Sequence, residues 1–249
     1  MKTLKTLLSG ILFLCLFTNA FTQPEDKVWL FDEAVIKPEQ VQNFEKSLKE
    51  VMKLFKENSY PYDIQVYSST GFKYYFVRPL ESTSSYEEVT AATGEVWSKI
   101  DSDIYNNYVQ CFKSDQQFVL RELGKYSYHP EQPRVDWSEF GYAAWDVHYV
   151  KFDKVQEYNE IMGKFTELLN KHNFDDPILI LNGMVGTENP MYVGALFGKD
   201  ANDMMEQNQK MWQSFGDEGS ELYQRMIPLL RDREKMEFWF RRGLSYYKE

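Results

Sequence analysis

The stretch Gly141–Asn159, which reads GYAAWDVHYVKFDKVQEYN, predicts a β-strand that runs directly into an amphipathic helix. The same unit occurs 114 positions earlier, where Lys27–Glu45 reads KVWLFDEAVIKPEQVQNFE. A fixed offset that preserves the helical phase indicates an internal duplication. The helices of both copies carry one apolar stripe with steps of three and four residues: Val41, Phe44, Leu48, Val51 and Phe55 in the first, and Val155, Tyr158, Met162, Phe165 and Leu169 in the second.

The remainder of the chain follows the same duplicated plan. Each copy predicts the element order β-α-β-β-α-β, with the last strands expected over residues 117–126 and 235–246. Pro130 and Pro133 interrupt regular structure between the two copies. We therefore expect a first repeat over residues 23–128, a joint over 129–140 and a second repeat over 141–249.

This element order is that of a ferredoxin-like unit, a four-stranded antiparallel sheet with helices on one face. The other face of each sheet also needs cover, and two units in one chain can cover each other. The predicted class is therefore α+β, with two tandem ferredoxin-like β-α-β-β-α-β repeats whose antiparallel sheets pack face to face within one chain. Because the halves cover each other, we expect a monomer that is an internal pseudo-dimer.

In this element order and its aromatic-rich helices, the chain resembles the dimeric α/β-barrel superfamily. That group includes NIPSNAP-type proteins, antibiotic-biosynthesis monooxygenases, haem-degrading monooxygenases and EthD-like proteins. The resemblance implies a barrel closed within one chain and supports a fold more than a function.

Residues 1–22 have the pattern of an export signal. Lys2 and Lys5 precede the apolar run Leu7–Phe17, and cleavage is expected after Thr22, with Ala20 as the alternative. The apolar run is too short to cross a bilayer, and no other segment is apolar enough to do so. We therefore expect an exported protein, periplasmic or secreted, with no stable membrane insertion.

The amino-acid composition indicates which partners the protein is not expected to bind and what stabilises its fold. The formal net charge is -10 at pH 7, which argues against a nucleic-acid partner. Of the two cysteines, only Cys111 lies outside the leader, so an internal disulfide is excluded once the leader is removed. Aromatic residues make up 16% of the chain, and we expect stability to come from a large apolar core.

Alternation along the first strand of each repeat separates a bulky face from a smaller and more polar one. We expect the bulky faces, with Trp29 and Phe31 in one repeat and Trp145 in the other, to pack under the helices. The opposite faces are then expected to line the space between the sheets. They contain Asp32 and Asp146 at matching positions, so a solvated pocket between the sheets is predicted, because unpaired buried carboxylates are costly.

The candidate ligand-binding residues are those on the polar side of the duplicated pattern: Asp32, Asp146, His148, Thr93 and Asn208. Each has a structural alternative. The two aspartates could be buried carboxylates that bond to the backbone or to tyrosine, and His148 could be a structural histidine. The side chains of Thr93 and Asn208 could bond to the backbone of their own helices. A metal site is not predicted, because two carboxylates and one histidine on distant strands form a weak ligand set.

The sequence contains no recognisable catalytic motif: no GxSxG elbow, HExxH, Walker loop or GxGxxG is present. The haem-degrading relatives are expected to use a strand asparagine, a tryptophan and a helix histidine. Here the strands carry Asp32 and Asp146, and His172 lies at a helix end, so no catalytic residue is transferred and the cofactor is left open.

Three interpretations of function follow. The first is an exported, non-catalytic or accessory protein that binds a small apolar or aromatic ligand between its sheets. The second is a monooxygenase-like or haem-related enzyme, with His148 and an aspartate as acid–base groups. The third is a structural protein with a filled barrel.

Overall fold

The computed structural model describes residues 26–248, so the predicted signal peptide, residues 1–22, lies outside the described residues. The described part of the chain forms eight β-strands and five α-helices. The strands are β1 (Val28–Ile36), β2 (Gln65–Ser69), β3 (Lys73–Leu80), β4 (Phe112–Glu122), β5 (Tyr142–Val150), β6 (Ile178–Gly183), β7 (Met191–Gly198) and β8 (Leu230–Phe240). The helices are α1 (Val41–Glu57), α2 (Ser85–Trp97), α3 (Ser102–Val109), α4 (Val155–His172) and α5 (Ala201–Met226).

All eight strands pair antiparallel in one closed barrel, in the order β1-β3-β2-β8-β5-β7-β6-β4. Within each repeat the strand order is that of a ferredoxin-like sheet, and the two sheets join through β2–β8 and β4–β6 pairs. The prediction of two tandem ferredoxin-like repeats that close within one chain is therefore confirmed. Closure removes the free sheet edges that each half would otherwise expose.

The two seams between the halves are built from equivalent contacts. Ser127 Oγ accepts a hydrogen bond from the Ile180 backbone N–H at 2.9 Å, and Ser245 Oγ accepts one from the Val66 N–H at 3.0 Å. Tyr128 and Tyr246 add isolated bridges to the other half beside these serines. The chain end of each repeat thus completes the sheet of the other repeat.

The helices pack on the outside of the barrel through the predicted apolar stripes. In α1, Phe44, Leu48, Val51 and Phe55 are all buried against the outer face of the first sheet. In α4, Tyr158, Met162 and Leu169 occupy the matching positions on the second sheet. Burial of these apolar side chains, rather than helix propensity, is what stabilises the helices.

The predicted assignment of strand faces was wrong, because the bulky faces point into the barrel. The rings of Phe31 and Trp145 lie 5.3 Å apart in an edge-to-face contact between the two sheets. Small residues such as Ala34 lie under the helices instead. An eight-stranded barrel has an interior wide enough for side chains of this size.

The last strand of each repeat begins and ends about five residues earlier than predicted. β4 ends at Glu122 and β8 at Phe240, and the segments after them form turns and the seam bridges. The predicted pairing of Ser127 and Tyr128 with Ser245 and Tyr246 nevertheless corresponds to equivalent places in the structure.

None of the five described helices combines the length and apolar character needed to cross a membrane.

Candidate functional site

One cavity of the described chain, here called the barrel cavity, lies between the two sheets and has a volume of about 600 Å³. It opens at the end of the barrel where β1 and β5 begin. Its wall is mainly aromatic, because the inward-facing residues of the strands are bulky: Trp29, Phe31, Tyr67, Tyr75, Trp145, Phe197, Phe238 and Phe240. A concave, largely apolar pocket with a few polar groups is the usual form of a small-molecule site.

The mouth of the barrel cavity carries its charged groups. Glu122, at the end of β4, is only 2% exposed, and its Oε1 lies 2.7 Å from His129 Nε2. Lys27 and Arg242 lie at the same mouth and are exposed. The Arg242 guanidinium donates to the Phe140 carbonyl at 3.0 Å, which holds this cation beside the opening.

The segment between the repeats, residues 129–140, crosses the mouth of the barrel cavity. The Trp137 ring packs edge-on against Phe140 and Phe197, at centroid distances of 5.4 and 5.1 Å. Arg134 anchors the segment through ion pairs to Asp176 and Asp203. The segment therefore contributes part of the cavity wall as well as connecting the repeats.

Three tyrosine hydroxyls in the barrel cavity already donate to protein acceptors. Tyr75 donates to Glu33 Oε2 at 2.5 Å, while Tyr142 donates to Glu237 Oε1 at 2.5 Å. Tyr67 donates to Gln65 Oε1 at 3.0 Å. Burial, followed by the neighbouring carboxylates, raises the pKa of Tyr75 and Tyr142, and burial alone dominates the raised pKa of Tyr67. These hydroxyls therefore stay protonated.

A second cavity of about 310 Å³, here called the helix-side cavity, lies between the first sheet and its helices. Asp32 and Thr93, two of the predicted site residues, both line it. Asp32 pairs with Arg78 and accepts a hydrogen bond from Gln117 Nε2 at 2.5 Å. Arg78 is 8% exposed, and its Nε has no hydrogen-bond partner among residues 26–248.

Thr93 Oγ1 bonds the Val89 carbonyl at 2.7 Å and the Tyr60 hydroxyl at 2.8 Å. Tyr108 adds a phenol to the same helix-side wall, and burial raises its pKa, with the Asp32 charge as the next cause. Trp97 supplies an aromatic face. The helix-side cavity is thus polar on the strand side and aromatic on the helix side.

The matching aspartate of the second repeat, Asp146, belongs to a compact network under the helices. Arg233 pairs with both carboxylate oxygens of Asp146. His148 Nδ1 lies 2.8 Å from the Tyr158 hydroxyl, and its Nε2 lies 3.2 Å from Asp146 Oδ1, outside good hydrogen-bond geometry. Burial alone would raise the pKa of Asp146, but His148 and Arg233 outweigh it and lower that pKa to about 2.

The two repeats therefore differ in the side chains and contacts found at positions that match in the duplicated sequence pattern. His148 is buried and contacts Tyr158, whereas the matching residue of the first repeat, Ala34, lines the helix-side cavity. Asn208, the counterpart of Thr93, lies half-buried on α5 and lines neither cavity. The structure thus brings Asp32 together with Thr93, and Asp146 with His148, but places none of these residues between the sheets. Whether they bind a ligand stays a prediction.

Histidine and cysteine, which are common ligands of haem iron, are scarce in the walls of the two cavities. The helix-side cavity has no histidine or cysteine in its wall. The barrel cavity has His129, whose Nε2 already contacts Glu122. Within the described residues 26–248, no group of three or more histidine, cysteine or acidic residues is arranged to hold a metal ion.

Sequence reasoning missed Glu122 and His129. Glu122 lay within a predicted strand and His129 lay in the joint, and neither was a candidate site residue. An acid and a histidine seven residues apart carry no recognisable motif. Their contact depends on the joint folding back across the barrel mouth, which only the tertiary structure shows.

Comparison with solved structures places this chain among proteins of the same architecture. It aligns with an anthrone oxidase-like protein over 88% of this chain and 93% of that one, at a TM-score of 0.59 and 11% identity. The alignment with a candidate monooxygenase from Fusobacterium nucleatum covers 91% of this chain and 100% of that one, at a TM-score of 0.58 and 10% identity. The alignment with chlorite dismutase from Candidatus Nitrospira defluvii covers 87% of this chain and 92% of that one, at a TM-score of 0.52 and 10% identity.

No protein-family model and no curated protein matches the chain. The structural likenesses confirm the predicted dimeric α/β-barrel fold.

Proposed function

We propose that this protein binds a small apolar or aromatic molecule in the barrel cavity between its two sheets. The observation that carries the proposal is the aromatic wall of an approximately 600 Å³ cavity that reaches the surface at one end of the barrel. The described side chains leave this space open, in contrast to a barrel filled as a plain structural core.

The chemistry of the wall sets the kind of ligand. Trp29, Phe31, Trp145 and Phe238 offer ring faces and edges, while the nearby tyrosine hydroxyls are already bonded to protein acceptors. Stacked and edge-on ring contacts add to the free energy of burying apolar surface. A flat, mostly apolar molecule is therefore favoured over a sugar or a polyanion.

Fluorescence titration with N-phenyl-1-naphthylamine, an uncharged aromatic probe, tests this proposal. We expect saturable binding with enhanced emission as the probe leaves water. Ala195, on β7, is 1% exposed and lines the cavity, so Ala195→Phe would fill part of the space. This variant should weaken binding at least tenfold.

Ala91→Phe is the matched control, because it adds the same ring at an exposed position on α2. It should bind the probe as the parent does. Absence of saturable binding by the parent, or equal weakening in both variants, would contradict a ligand in the barrel cavity.

A second candidate function is oxygenase-like chemistry in the helix-side cavity. It is favoured by the buried Arg78 guanidinium with an unsatisfied Nε beside Asp32, since unpaired buried donors often occur at functional sites. The neighbours described as anthrone oxidase-like and as a candidate monooxygenase give it further support.

Oxygen uptake with anthrone as the test compound examines this second function. Catalysis would yield anthraquinone and water in step with the oxygen consumed. Arg78→Met should abolish the rate, whereas Arg231→Met, on the second half of the barrel, should leave it unchanged. A rate no higher than the buffer control would exclude anthrone oxidation, and a parent-like rate in Arg78→Met would remove the helix-side cavity from it.

We also propose that the protein acts after export, because residues 1–22 have the pattern of a signal peptide. N-terminal sequencing of protein recovered outside the cytoplasm should begin at Gln23. An intact Met1 on protein that stays with the cytoplasm would contradict export.

A further inference from the structure

We propose that Trp29 selects, for the barrel cavity, a mostly apolar ligand that carries a neutral carbonyl oxygen as a hydrogen-bond acceptor. This inference rests on the proposed ligand-binding function and names the chemistry of the ligand's polar end. Trp29 was expected to pack under a helix, whereas the structure places it in the wall between the two sheets.

The indole of Trp29 combines burial with an unused donor. The residue forms part of the cavity wall, and its Nε1 is buried without a hydrogen-bond partner among residues 26–248. A buried N–H that lacks an acceptor is unfavourable, because it has lost its hydrogen bond to water without gaining another. A ligand that brings an acceptor to this N–H therefore gains binding free energy.

The other buried side-chain atoms that lack a partner in the described chain belong to residues that do not line the barrel cavity. Arg78 contributes its Nε and lines the helix-side cavity instead. His148 Nε2 and Asn159 Oδ1 belong to residues that line neither cavity. An unmet hydrogen bond thus bears on the barrel cavity through Trp29.

The tyrosines of the cavity wall do not compete with Trp29 for an acceptor. The hydroxyls of Tyr67, Tyr75 and Tyr142 each donate their single proton to a protein oxygen. A carbonyl oxygen on a ligand therefore finds a buried neutral donor at Trp29 rather than at a tyrosine.

The position of Trp29 along β1 determines where the polar end of the ligand lies. Lys27, Trp29 and Phe31 all line the cavity, as expected for alternate residues that share one strand face. Lys27 lies at the charged mouth, and the Phe31 ring contacts Trp145 between the sheets. The carbonyl group should therefore lie about 7 Å inside Lys27, with the apolar body directed towards Phe31 and Trp145.

The charges at the mouth favour a neutral acceptor over an anion. Lys27 and Arg242 are cations, but both are exposed and therefore attract a ligand only weakly. The Glu122 carboxylate, which is 2% exposed and lines the same cavity, would repel a ligand carboxylate. A carbonyl oxygen satisfies the Trp29 N–H without that repulsion, so an aromatic ketone or aldehyde is the ligand class that fits.

Three naphthalene compounds of similar size test the inference by displacement of N-phenyl-1-naphthylamine. 2-Acetonaphthone carries the carbonyl oxygen, 2-isopropenylnaphthalene has a methylene group in place of that oxygen, and 2-naphthoate carries an anion. In a wall without a spare donor the hydrocarbon should bind more tightly, because the ketone loses its hydrogen bonds to water. We expect the parent to bind 2-acetonaphthone at least about fivefold more tightly than either of the others.

Variants assign the preference to Trp29. Trp29→Phe keeps an aromatic ring but removes the N–H, so it should bind 2-isopropenylnaphthalene at least as tightly as 2-acetonaphthone. Trp145→Phe is the matched control, because it makes the same change at another tryptophan of the cavity wall whose Nε1 is not a buried atom without a partner. It should lower the affinities for both compounds by similar factors and keep the parent's preference. Thermal melting verifies that each variant is folded.

NMR of the ¹⁵N-labelled parent gives a readout that a loss of packing would not produce. The indole N–H resonance of Trp29 should move further downfield when the parent binds 2-acetonaphthone than when it binds 2-isopropenylnaphthalene. Equal shifts with the two compounds would show that the carbonyl oxygen does not reach this N–H.

The outcomes separate this inference from the proposed function. If the parent binds none of the three compounds and no N-phenyl-1-naphthylamine, both proposals fail. If it binds the probe but shows no preference for the ketone over the other two compounds, ligand binding stands and selection by Trp29 is overturned. An unchanged preference in Trp29→Phe, or its loss in both variants, overturns the selection as well. Should Trp29→Phe not fold, the parent's order of affinities and the shift of the Trp29 indole resonance decide.

Discussion

Asp146 should make a pH-dependent contribution to stability that can be measured in isolation. Burial opposes ionisation, yet His148 and Arg233 lower the pKa of Asp146 from 3.8 to about 2. A shift of this size corresponds to about 2.5 kcal/mol, which solvent screening of a side chain that is 26% exposed reduces to about 2 kcal/mol. Because the folded-state pKa is the lower one, this stabilisation is present above about pH 4 and is lost as pH falls towards 2.

Urea unfolding of the parent and Asp146→Asn at pH 6 and pH 2.5 measures this contribution. The variant should be less stable by at least about 2 kcal/mol at pH 6, and the difference should shrink by about 1 kcal/mol at pH 2.5. Asp153→Asn removes the same charge at an exposed site and should stay within about 0.5 kcal/mol of the parent. A difference that is equal at both pH values would refute the ion-pair reasoning.

Three further predictions follow from the architecture. Because the sheets close within one chain, light scattering should give the mass of a single chain, and a dimer that unfolds on dilution would contradict the closed barrel. Ser127→Ala and Ser245→Ala should each lower the unfolding free energy by about 1 kcal/mol, since they remove equivalent seam hydrogen bonds; a large inequality would show that the seams differ. In urea unfolding, Gly186→Ala should lower the free energy of unfolding more than Gly71→Ala does. Both glycines have a positive φ, but only at Gly186 would the added Cβ meet a backbone oxygen, that of Gln117 at 2.4 Å. Equal losses of unfolding free energy in the two variants would mean that the loop containing Gly186 moves to accommodate the added Cβ.

The outcome for the strand faces shows the limit of periodicity. Alternation in β1 correctly separated Phe31 from Asp32, since successive side chains point to opposite faces. Both faces of the strand are covered, however, one by helices and one by the opposite sheet. Period-two alternation therefore divides the residues into two sets without indicating which set faces inward.

The candidate site residues also show what local sequence patterns leave undetermined, namely which side chains pair with each other. Asp32 and Asp146 were recognised as polar residues that require partners, and Arg78 and Arg233 supply those partners under the helices. The partners come from strands that are distant in sequence, so no spacing rule identifies them. The Glu122–His129 contact joins residues only seven positions apart, and it was missed because it depends on the joint folding back across the barrel mouth.

The sequence by itself determined the duplication, the class of fold and the apolar stripes of the helices, because these depend on local periodicity and a constant offset. Only the tertiary structure decided which strand face lines the barrel, where the cavities lie and which charges meet. These features depend on barrel closure and on the fold of residues 129–140 across its mouth. Both arise from contacts between residues far apart in the chain, and local sequence patterns do not encode such contacts.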